Sequence, residues 1–179
     1  KQYLNLEANL DDDIKEKIID IRNKGSNNPG ASNAAITMGF KIGVLVAVWD
    51  ILKAAIAVFA AKILFPDDAL IGTVAGVGCI LGHMFPVFMS FNGGKGFASF
   101  MGMMMMSNWK AFLIIGIIAV IITVITDYIA IATLTTVITY PLYIIFSTGD
   151  YLISLVIAIA SLAMVFKHLI NIKRILEGN

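Results

Sequence analysis

The chain has 179 residues, of which 59% are hydrophobic and only 14% are charged, and its mean hydropathy is +0.87. Soluble domains carry roughly 25% charged residues, so this composition excludes an ordinary soluble domain and favours an integral membrane protein. The formal net charge of +1 gives no indication of nucleic-acid binding, and the single cysteine, Cys79, excludes an internal disulfide.

Residues 1–21 are polar and precede the apolar part of the chain. Three aspartates at 11–13 stand before isoleucines at partly helical spacing, which is typical of the start of a solvated or interfacial helix. The chain begins with Lys1 rather than methionine, so we expect that an upstream part has been lost or trimmed. We predict a polar segment at 1–21 and a single integral-membrane domain at 22–179.

Six apolar stretches predict an all-α polytopic membrane protein folded as a helical bundle. They run at 42–64, 69–91, 94–107, 110–126, 128–147 and 150–166. A membrane-spanning helix needs roughly 17–25 residues, so the third stretch is short and predicts a tilted or half-buried helix. If both chain ends face the cytoplasm, ten of the 13 lysines and arginines lie inside and only Lys62 and Lys110 lie outside. This bias predicts that orientation.

Three polar clusters then share the cytoplasmic face. The first polar cluster, residues 22–33, reads RNKGSNNPGASN. Its small residues allow backbone N–H groups to point into one concavity, and Arg22 adds positive charge. An ordinary loop that caps the next helix, with Ser32 or Asn33 as the cap, explains the same composition.

The second cluster is the glycine clip, residues 91–99, which reads FNGGKGFAS and follows Gly82-His83-Met84-Phe85-Pro86. It lacks the pattern of a Walker loop or a dinucleotide fingerprint. Adjacent N–H groups, one lysine and a following helix N-terminus favour an anion, whereas a tight turn with a lysine reaching the interface is the alternative. Irregular backbone at membrane depth lies inside protein or beside water, so we expect the clip to line a cavity. His83 is as compatible with packing as with chemistry.

The last polar cluster, residues 167–174, reads KHLINIKR at the end of the last span. On a helix, His168, Asn171 and Arg174 recur at three-residue spacing and share a face. A basic flank of a membrane helix accounts for the lysines and the arginine, but it accounts less well for the His-Asn pair.

Asp50 and Lys53 lie three residues apart inside the first span. Intramembrane charges are costly and usually mark function, although a structural ion pair is the alternative. No HExxH, CxxC or carboxylate cluster suggests a metal. The residues alone therefore predict a cytoplasmic anion-binding pocket at lipid level, which suits either an acyltransferase acting on phosphorylated headgroups or a transporter of an anionic solute.

Four segments carry a resemblance to a known family: DIRNKGSNNPGASN, WDILK, GHMFPVFMSFNGGKGFAS and KHLINIKRILEG, between about Asp20 and Gly178. In this order they resemble the signature segments of the PlsY family, bacterial membrane enzymes that transfer a fatty acyl group from acyl phosphate to glycerol 3-phosphate. The resemblance implies a seven-span bundle whose first span is missing here, an active site on the cytoplasmic face of the bacterial inner membrane, and lysophosphatidate as product. It implies no cofactor, no metal and no nucleic acid, and the oligomeric state stays open.

The resemblance also implies roles for particular residues. His168 and Asn171 are expected to act at the reacting centre, together with Ser26 as a third catalytic residue. Asn28, Gly30, Ser32, Asn33 and Lys53 are expected to help hold phosphate groups, and Gly93, Gly94, Lys95 and Gly96 to receive glycerol 3-phosphate. Four further residues are substrate-binding candidates from their chemistry and position rather than from the resemblance: Arg22, Asp50, His83 and Arg174.

The chain departs from the family pattern at five positions, which are Asn27, Ile36, Asn92, Leu169 and Ile170. Loss of an arginine removes a bidentate grip on phosphate, so weaker affinity, an altered substrate preference or a weakly active paralogue are alternatives. A transporter with the same pocket is the runner-up, but transporters commonly carry paired repeats and the clip has no duplicate. The sequence has no nucleotide-recognising pattern that would support acyl-CoA as the donor.

Overall fold

The computed structural model describes residues 20–177, and the regular structure in this range is helical. Seven α-helices follow one another: α1 (Ala31–Met38), α2 (Phe40–Leu64), α3 (Ala69–Met84), α4 (Phe97–Ser107), α5 (Trp109–Thr126), α6 (Ile129–Thr148) and α7 (Tyr151–Leu176). Two short 3-10 turns, Ile21–Asn23 and Val87–Met89, lie in the connecting segments. The predicted polar segment lies almost entirely outside the described residues, and its boundary with the membrane domain stays a prediction.

Within residues 20–177, five segments are long and apolar enough to cross a membrane: Phe40–Leu64, Ala69–Met89, Trp109–Thr126, Ile129–Thr148 and Tyr151–Lys173. The 11-residue α4 rises only about 16 Å at 1.5 Å per residue, which is too short for a hydrocarbon core of roughly 30 Å. The prediction of an all-α, multi-pass membrane protein is confirmed, and each of the six predicted stretches contains a helix.

Three boundaries differ from the prediction. The second stretch was drawn to residue 91, but α3 ends at Met84 because Pro86 disfavours helical backbone at the residue before it. The last helix continues to Leu176 rather than stopping at 166, since its polar end extends beyond the apolar stretch. The helix after the first polar cluster, α1, begins after Gly30, earlier than the alternative caps Ser32 and Asn33, which both lie inside it.

The polar residues between spans cap the helices that follow them. The Asp68 carboxylate accepts hydrogen bonds from the backbone N–H groups of Leu70 and Ile71, at 2.9 and 3.2 Å. Asn108 and Asp150 accept from N–H groups three residues later in the same way. Such caps satisfy donors that a helix N-terminus leaves open, so these residues fix where α3, α5 and α7 begin.

The core lies where the short α4 packs between longer helices. Phe100 and Met103 of α4 are fully buried with Ile80 of α3. Gly102 lets α4 approach α2 closely, because a Cβ there would overlap the backbone of Ile51. This packing holds α4 firmly, and the glycine clip at its N-terminus is thereby set against α3.

Candidate active site

The first polar cluster is organised by Asn33, which is 1% exposed. Its Nδ2 donates to the carbonyls of Ile21 and Lys24, both at 2.9 Å, and its Oδ1 accepts from the N–H of Ser26 at 2.8 Å. These three bonds use the amide within the loop and hold the loop over α1. Asn33 therefore fixes the loop conformation through hydrogen bonds to its backbone, while Ser26 and Asn28 line the cavity.

The turn in this loop depends on two residues with left-handed backbone. Gly25 has φ +62° and Asn27 has φ +57°. A Cβ on Gly25 would overlap the Asn33 amide. Asn27 is a departure from the glycine of the family pattern, and asparagine is among the few non-glycine residues that adopt this conformation readily. The departure therefore preserves the turn.

Arg22 lies at the outer rim of the site, where its guanidinium binds the carboxylate of Asp20. The Nη2–Oδ2 and Nε–Oδ1 distances are 2.7 and 2.9 Å. The hydrogen bonds from the Arg22 side chain and backbone hold the pKa of Asp20 below its usual value. Arg22 lines an outer polar cavity of about 550 Å³, which it shares with Asn28, Asn92, Lys95 and Lys167.

The glycine clip packs directly on the end of α3. Gly93 and Gly94 are buried, and the N–H of Gly93 donates to the carbonyl of Met84 at 3.2 Å. A Cβ on Gly94 would overlap the imidazole of His83. Gly96 caps α4 with φ +88°, a conformation that favours glycine. The clip thus needs glycines partly because His83 lies against it.

Asp50, Lys53 and His83 form a charged group beneath the clip. The Lys53 ammonium donates to Asp50 Oδ1 at 2.6 Å and to His83 Nδ1 at 2.7 Å, whereas His83 Nδ1 and Asp50 Oδ1 are 3.5 Å apart. Because an ammonium has donors and no acceptor, Nδ1 of His83 accepts and the proton of the neutral ring lies on Nε2. The edge of the ring that faces Gly94 is therefore an N–H donor.

His168 has the opposite arrangement. It is 3% exposed, and its Nδ1 lies 2.8 Å from the carbonyl oxygen of Met164. A carbonyl only accepts, so Nδ1 carries the proton and Nε2 of the neutral ring has a lone pair. Three residues later, the Oδ1 of Asn171 accepts from the Lys95 ammonium at 2.7 Å. That bond links the last polar cluster to the glycine clip. Because the bond uses the amide oxygen of Asn171, the NH₂ group is the part of this amide that can donate to a ligand.

A cavity of about 400 Å³ joins these segments. Ten of the predicted site residues line it: Ser26, Asn28, Gly30, Ser32, Asp50, His83, Lys95, Gly96, His168 and Asn171. Apolar residues belong to the same lining, among them Phe97 and Met101 of α4 and Ile36 of α1. The cavity therefore offers both polar and apolar contacts to a ligand.

The remaining predicted residues lie elsewhere. Lys53, Gly93 and Gly94 border an adjoining cavity of about 290 Å³ on the other side of His83. Arg22 lies in the outer cavity, and Asn33 lies behind the loop. Arg174 belongs to α7, but its side chain is outside the described part of the chain. Among residues 20–177, no group of three His, Cys, Asp or Glu side chains is placed to hold a metal.

Sequence reasoning missed two polar residues. Lys167 lines the outer cavity with its ammonium 4.9 Å from the centre of the Phe85 ring, whereas the sequence indicates only a basic flank at this position. Thr133 of α6 lines the main cavity and is buried. Nothing distinguishes Thr133 in the sequence from its neighbours Thr135 and Thr136.

A family described as glycerol-3-phosphate acyltransferase matches residues 14–178. The chain belongs to the glycerol-3-phosphate acyltransferase family. A relative of that name from Thermoanaerobacter sp. (strain X514) is 40% identical over 163 residues, which cover 89% of this chain and 80% of the relative. Another, from Brucella anthropi, is 36% identical over 159 residues, covering 89% and 77%.

Two solved structures of PlsY, an integral membrane glycerol 3-phosphate acyltransferase, share the fold. The glycerol 3-phosphate form has a TM-score of 0.85 and 32% sequence identity over 92% of this chain and 82% of that chain. The lysophosphatidic acid form has a TM-score of 0.80 and 31% identity over 86% and 79%. The resemblance to the PlsY family is thus confirmed, the chain is an acyltransferase enzyme, and nothing in these comparisons favours a transporter.

Proposed function

We propose that this glycerol-3-phosphate acyltransferase takes its fatty acyl group from acyl phosphate and transfers it to glycerol 3-phosphate, giving lysophosphatidate and inorganic phosphate. The product would begin phospholipid synthesis at the cytoplasmic face of a bacterial inner membrane. The observation that carries this proposal is the cavity of about 400 Å³, whose lining combines residues of all three polar clusters with apolar residues of α1, α2 and α4.

The reaction forms one C–O bond and breaks another. The glycerol hydroxyl oxygen attacks the acyl carbonyl carbon, the bond from that carbon to the phosphate oxygen breaks, and the bonding electrons leave with phosphate. Because an acyl phosphate already has a good leaving group, alignment and charge stabilisation are the main requirements. No covalent nucleophile on the protein is needed.

His168 is the group on this chain best arranged to accept the hydroxyl proton. Its Nδ1–H is held by the Met164 carbonyl at 2.8 Å, so Nε2 is the basic atom of the neutral ring. The residue is buried and lines the same cavity as the glycine clip. The fixed tautomer supports a role as general base.

Lys95 and Asn171 would act on the developing negative charge. The bond from the Lys95 ammonium to Asn171 Oδ1 fixes the amide, so that its NH₂ can donate to the carbonyl oxygen or to phosphate. Preorganised donors of this kind lower the barrier because they need no reorientation during the reaction. The ammonium adds positive charge to the cavity.

A donor assay tests the proposal. Purified protein in lipid vesicles would receive labelled glycerol 3-phosphate with either palmitoyl phosphate or palmitoyl-CoA. We expect lysophosphatidate only with palmitoyl phosphate, accompanied by an equal amount of inorganic phosphate. Transfer from palmitoyl-CoA alone would contradict the proposed donor, and uptake of glycerol 3-phosphate into the vesicles without product would contradict the proposed reaction.

The cytoplasmic orientation has a separate test. Single cysteines would replace Asn92, in the glycine clip, or Asp67, at the opposite end of α2, in a Cys79→Ala background. In intact spheroplasts an impermeant thiol reagent should label Asp67→Cys and spare Asn92→Cys, and inverted vesicles should give the reverse. Labelling of Asn92→Cys from outside would contradict the orientation that the lysines and arginines predict.

A further inference from the structure

The outer cavity of about 550 Å³ lies between the first polar cluster, the glycine clip and α7. Arg22, Asn23 and Asn92 line it, and all three residues are exposed to solvent. A water-soluble molecule can therefore reach the outer cavity without crossing apolar surface, and these three residues form its mouth.

The outer cavity adjoins the reaction cavity, which is the cavity of about 400 Å³ that His168 lines. Ser26, Asn28 and Lys95 line both cavities. Of these three, Lys95 is half-buried and donates to Asn171 of the reaction cavity. A small anion that moved from one cavity to the other would therefore pass hydrogen-bonding side chains and an ammonium.

Neighbouring residues of α7 belong to different cavities. Lys167 and Ile170 line the outer cavity, whereas His168 and Asn171 line the reaction cavity. Residues three apart share a helix face, and consecutive residues are turned by about 100° because a helix has 3.6 residues per turn. Lys167 can therefore be changed without altering the helix face that carries His168.

The charge of the outer cavity favours an anion. Its described lining includes three cations, Arg22, Lys95 and Lys167, and one carboxylate, Asp20, which the Arg22 guanidinium binds. Asparagine and serine residues lie among these charges. Phosphate oxygens accept hydrogen bonds from such groups, and a cleft of one sign concentrates ions of the opposite sign. The lining therefore suits a phosphate monoester or free phosphate.

Lys167 differs in its surroundings from Lys53. The Lys53 ammonium lies 2.6 Å from the buried carboxylate of Asp50, which offsets its charge. The Lys167 ammonium lies 4.9 Å from the centre of the Phe85 ring, and it forms no ion pair with a carboxylate of residues 20–177. A cation–π contact orients an ammonium without cancelling its charge, so Lys167 can attract an anionic ligand.

We propose that the outer cavity is a second phosphate site, in which Lys167 captures glycerol 3-phosphate from water before it enters the reaction cavity and binds the inorganic phosphate that leaves. This inference rests on the proposed function. The fatty product stays in the bilayer, whereas glycerol 3-phosphate and inorganic phosphate are exchanged with water and need a polar route. Lys167 thus acts on the entry and release of phosphate compounds rather than on the acyl transfer.

Steady-state kinetics of Lys167→Met test the two phosphate compounds separately. At low ionic strength we expect kcat/KM for glycerol 3-phosphate to fall about tenfold, because charged clefts raise association rates by 10–10³-fold, while kcat changes little. The deficit should shrink in about 1 M salt, where the Debye length is roughly 3 Å. Inorganic phosphate should inhibit the variant more weakly than the parent. Lys173→Met is the matched control, since it removes the same charge from an exposed position of α7 outside the outer cavity.

A second measurement needs no catalysis. Asn92→Cys, in a Cys79→Ala background, places a thiol at the mouth of the outer cavity. In detergent-purified protein, an anionic methanethiosulfonate reagent should modify this thiol faster than a cationic one, and inorganic phosphate should slow the anionic reagent. Adding Lys167→Met should lower the anionic-to-cationic rate ratio by about three- to tenfold, whereas adding Lys173→Met should leave it close to its starting value.

The outcomes separate this proposal from the proposed function. If Lys167→Met matched Lys173→Met in kcat/KM, phosphate inhibition and thiol modification, the second phosphate site would be wrong. A loss confined to kcat would also overturn it, because Lys167 would then act on the acyl transfer. Lys167→Arg keeps the charge and should behave like the parent, and Lys167→Gln repeats the comparison if Lys167→Met unfolds early. A parent enzyme that makes no product from any acyl phosphate would overturn the proposed function, while the thiol rates would still decide the outer site.

Discussion

Two histidines line the same cavity, but their surroundings give them opposite chemistry. His83 accepts a hydrogen bond at Nδ1 from the Lys53 ammonium, whereas His168 donates from Nδ1 to the Met164 carbonyl. In the neutral rings, Nε2 is therefore a donor in His83 and an acceptor in His168. The hydrogen-bond partner of Nδ1 therefore decides whether Nε2 of each ring donates or accepts in the cavity.

This difference suggests a division of labour between the two regions. In the proposed reaction, the His83 region, with Asp50, Lys53 and the glycine clip, would bind a phosphate. The His168 region would supply the base and, through Asn171, an amide donor. Lys95 connects the two regions, because it belongs to the clip and donates to Asn171.

The largest expected effect is at His168. His168→Ala should lower kcat by roughly 10²-fold or more, because general acid–base groups typically contribute 10²–10⁴-fold, while the KM for glycerol 3-phosphate changes little. Steady-state kinetics with acyl phosphate and glycerol 3-phosphate measure both. The neighbouring variant Leu169→Ala, at an exposed position, is the control. Near-normal kcat in a well-folded His168→Ala enzyme would show that His168 is not the general base.

The His83 region should respond in KM rather than in kcat. Removing Lys53 alone would leave Asp50 buried and unpaired, which costs about 3–5 kcal/mol of stability, so the double variant Asp50→Asn/Lys53→Met is preferred. We expect the KM for glycerol 3-phosphate to rise by roughly ten- to a hundredfold, since His83 loses the hydrogen bond that fixes its tautomer.

Two outcomes bear on the His83 assignment. Lys53→Arg keeps a donor near His83 and should recover part of the affinity. A double variant whose loss is confined to kcat would contradict the division between the two regions.

Gly94→Ala should produce a smaller change of the same kind. Its Cβ would displace the His83 ring, so we expect the KM for glycerol 3-phosphate to rise by about tenfold, or roughly 1.4 kcal/mol, with the KM for acyl phosphate little changed. Gly78→Ala, which adds a Cβ in open space, is the matched control. If the KM for acyl phosphate rose instead, the assignment of the two phosphate sites would be reversed.

The smallest effect concerns a position outside both histidine regions. Asn27 has φ +57°, and Asn27→Ala should cost about 1–2 kcal/mol because alanine adopts left-handed backbone poorly. The apparent Tm should fall by about 2–4 °C per kcal/mol, while Asn27→Gly should unfold close to the parent temperature. Equal Tm values for the alanine and glycine variants would show that backbone strain at this turn is unimportant.

The membrane class, the six apolar helices and the three polar segments of the candidate site could be predicted from the amino-acid sequence, although only five of the six helices are long enough to span a membrane. Apolar stretches between capping residues such as Asp68 and Asn108 specify these helices locally, since hydrophobicity and capping act over a few residues. The His-Asn spacing at 168 and 171 likewise follows from helix geometry alone.

Which atoms face one another could not be predicted, because it depends on how the helices and loops pack. Asn33 matched the phosphate-binding pattern, yet its amide holds the loop at Ile21 and Lys24. Thr133 gave no signal, and it reaches the cavity because α6 packs beside α7. The His83 tautomer depends on Lys53, 30 residues away in sequence, and this contact arises from the packing of α2 against α3, which no local pattern encodes. The His168 tautomer depends instead on the Met164 carbonyl, four residues earlier in the same helix.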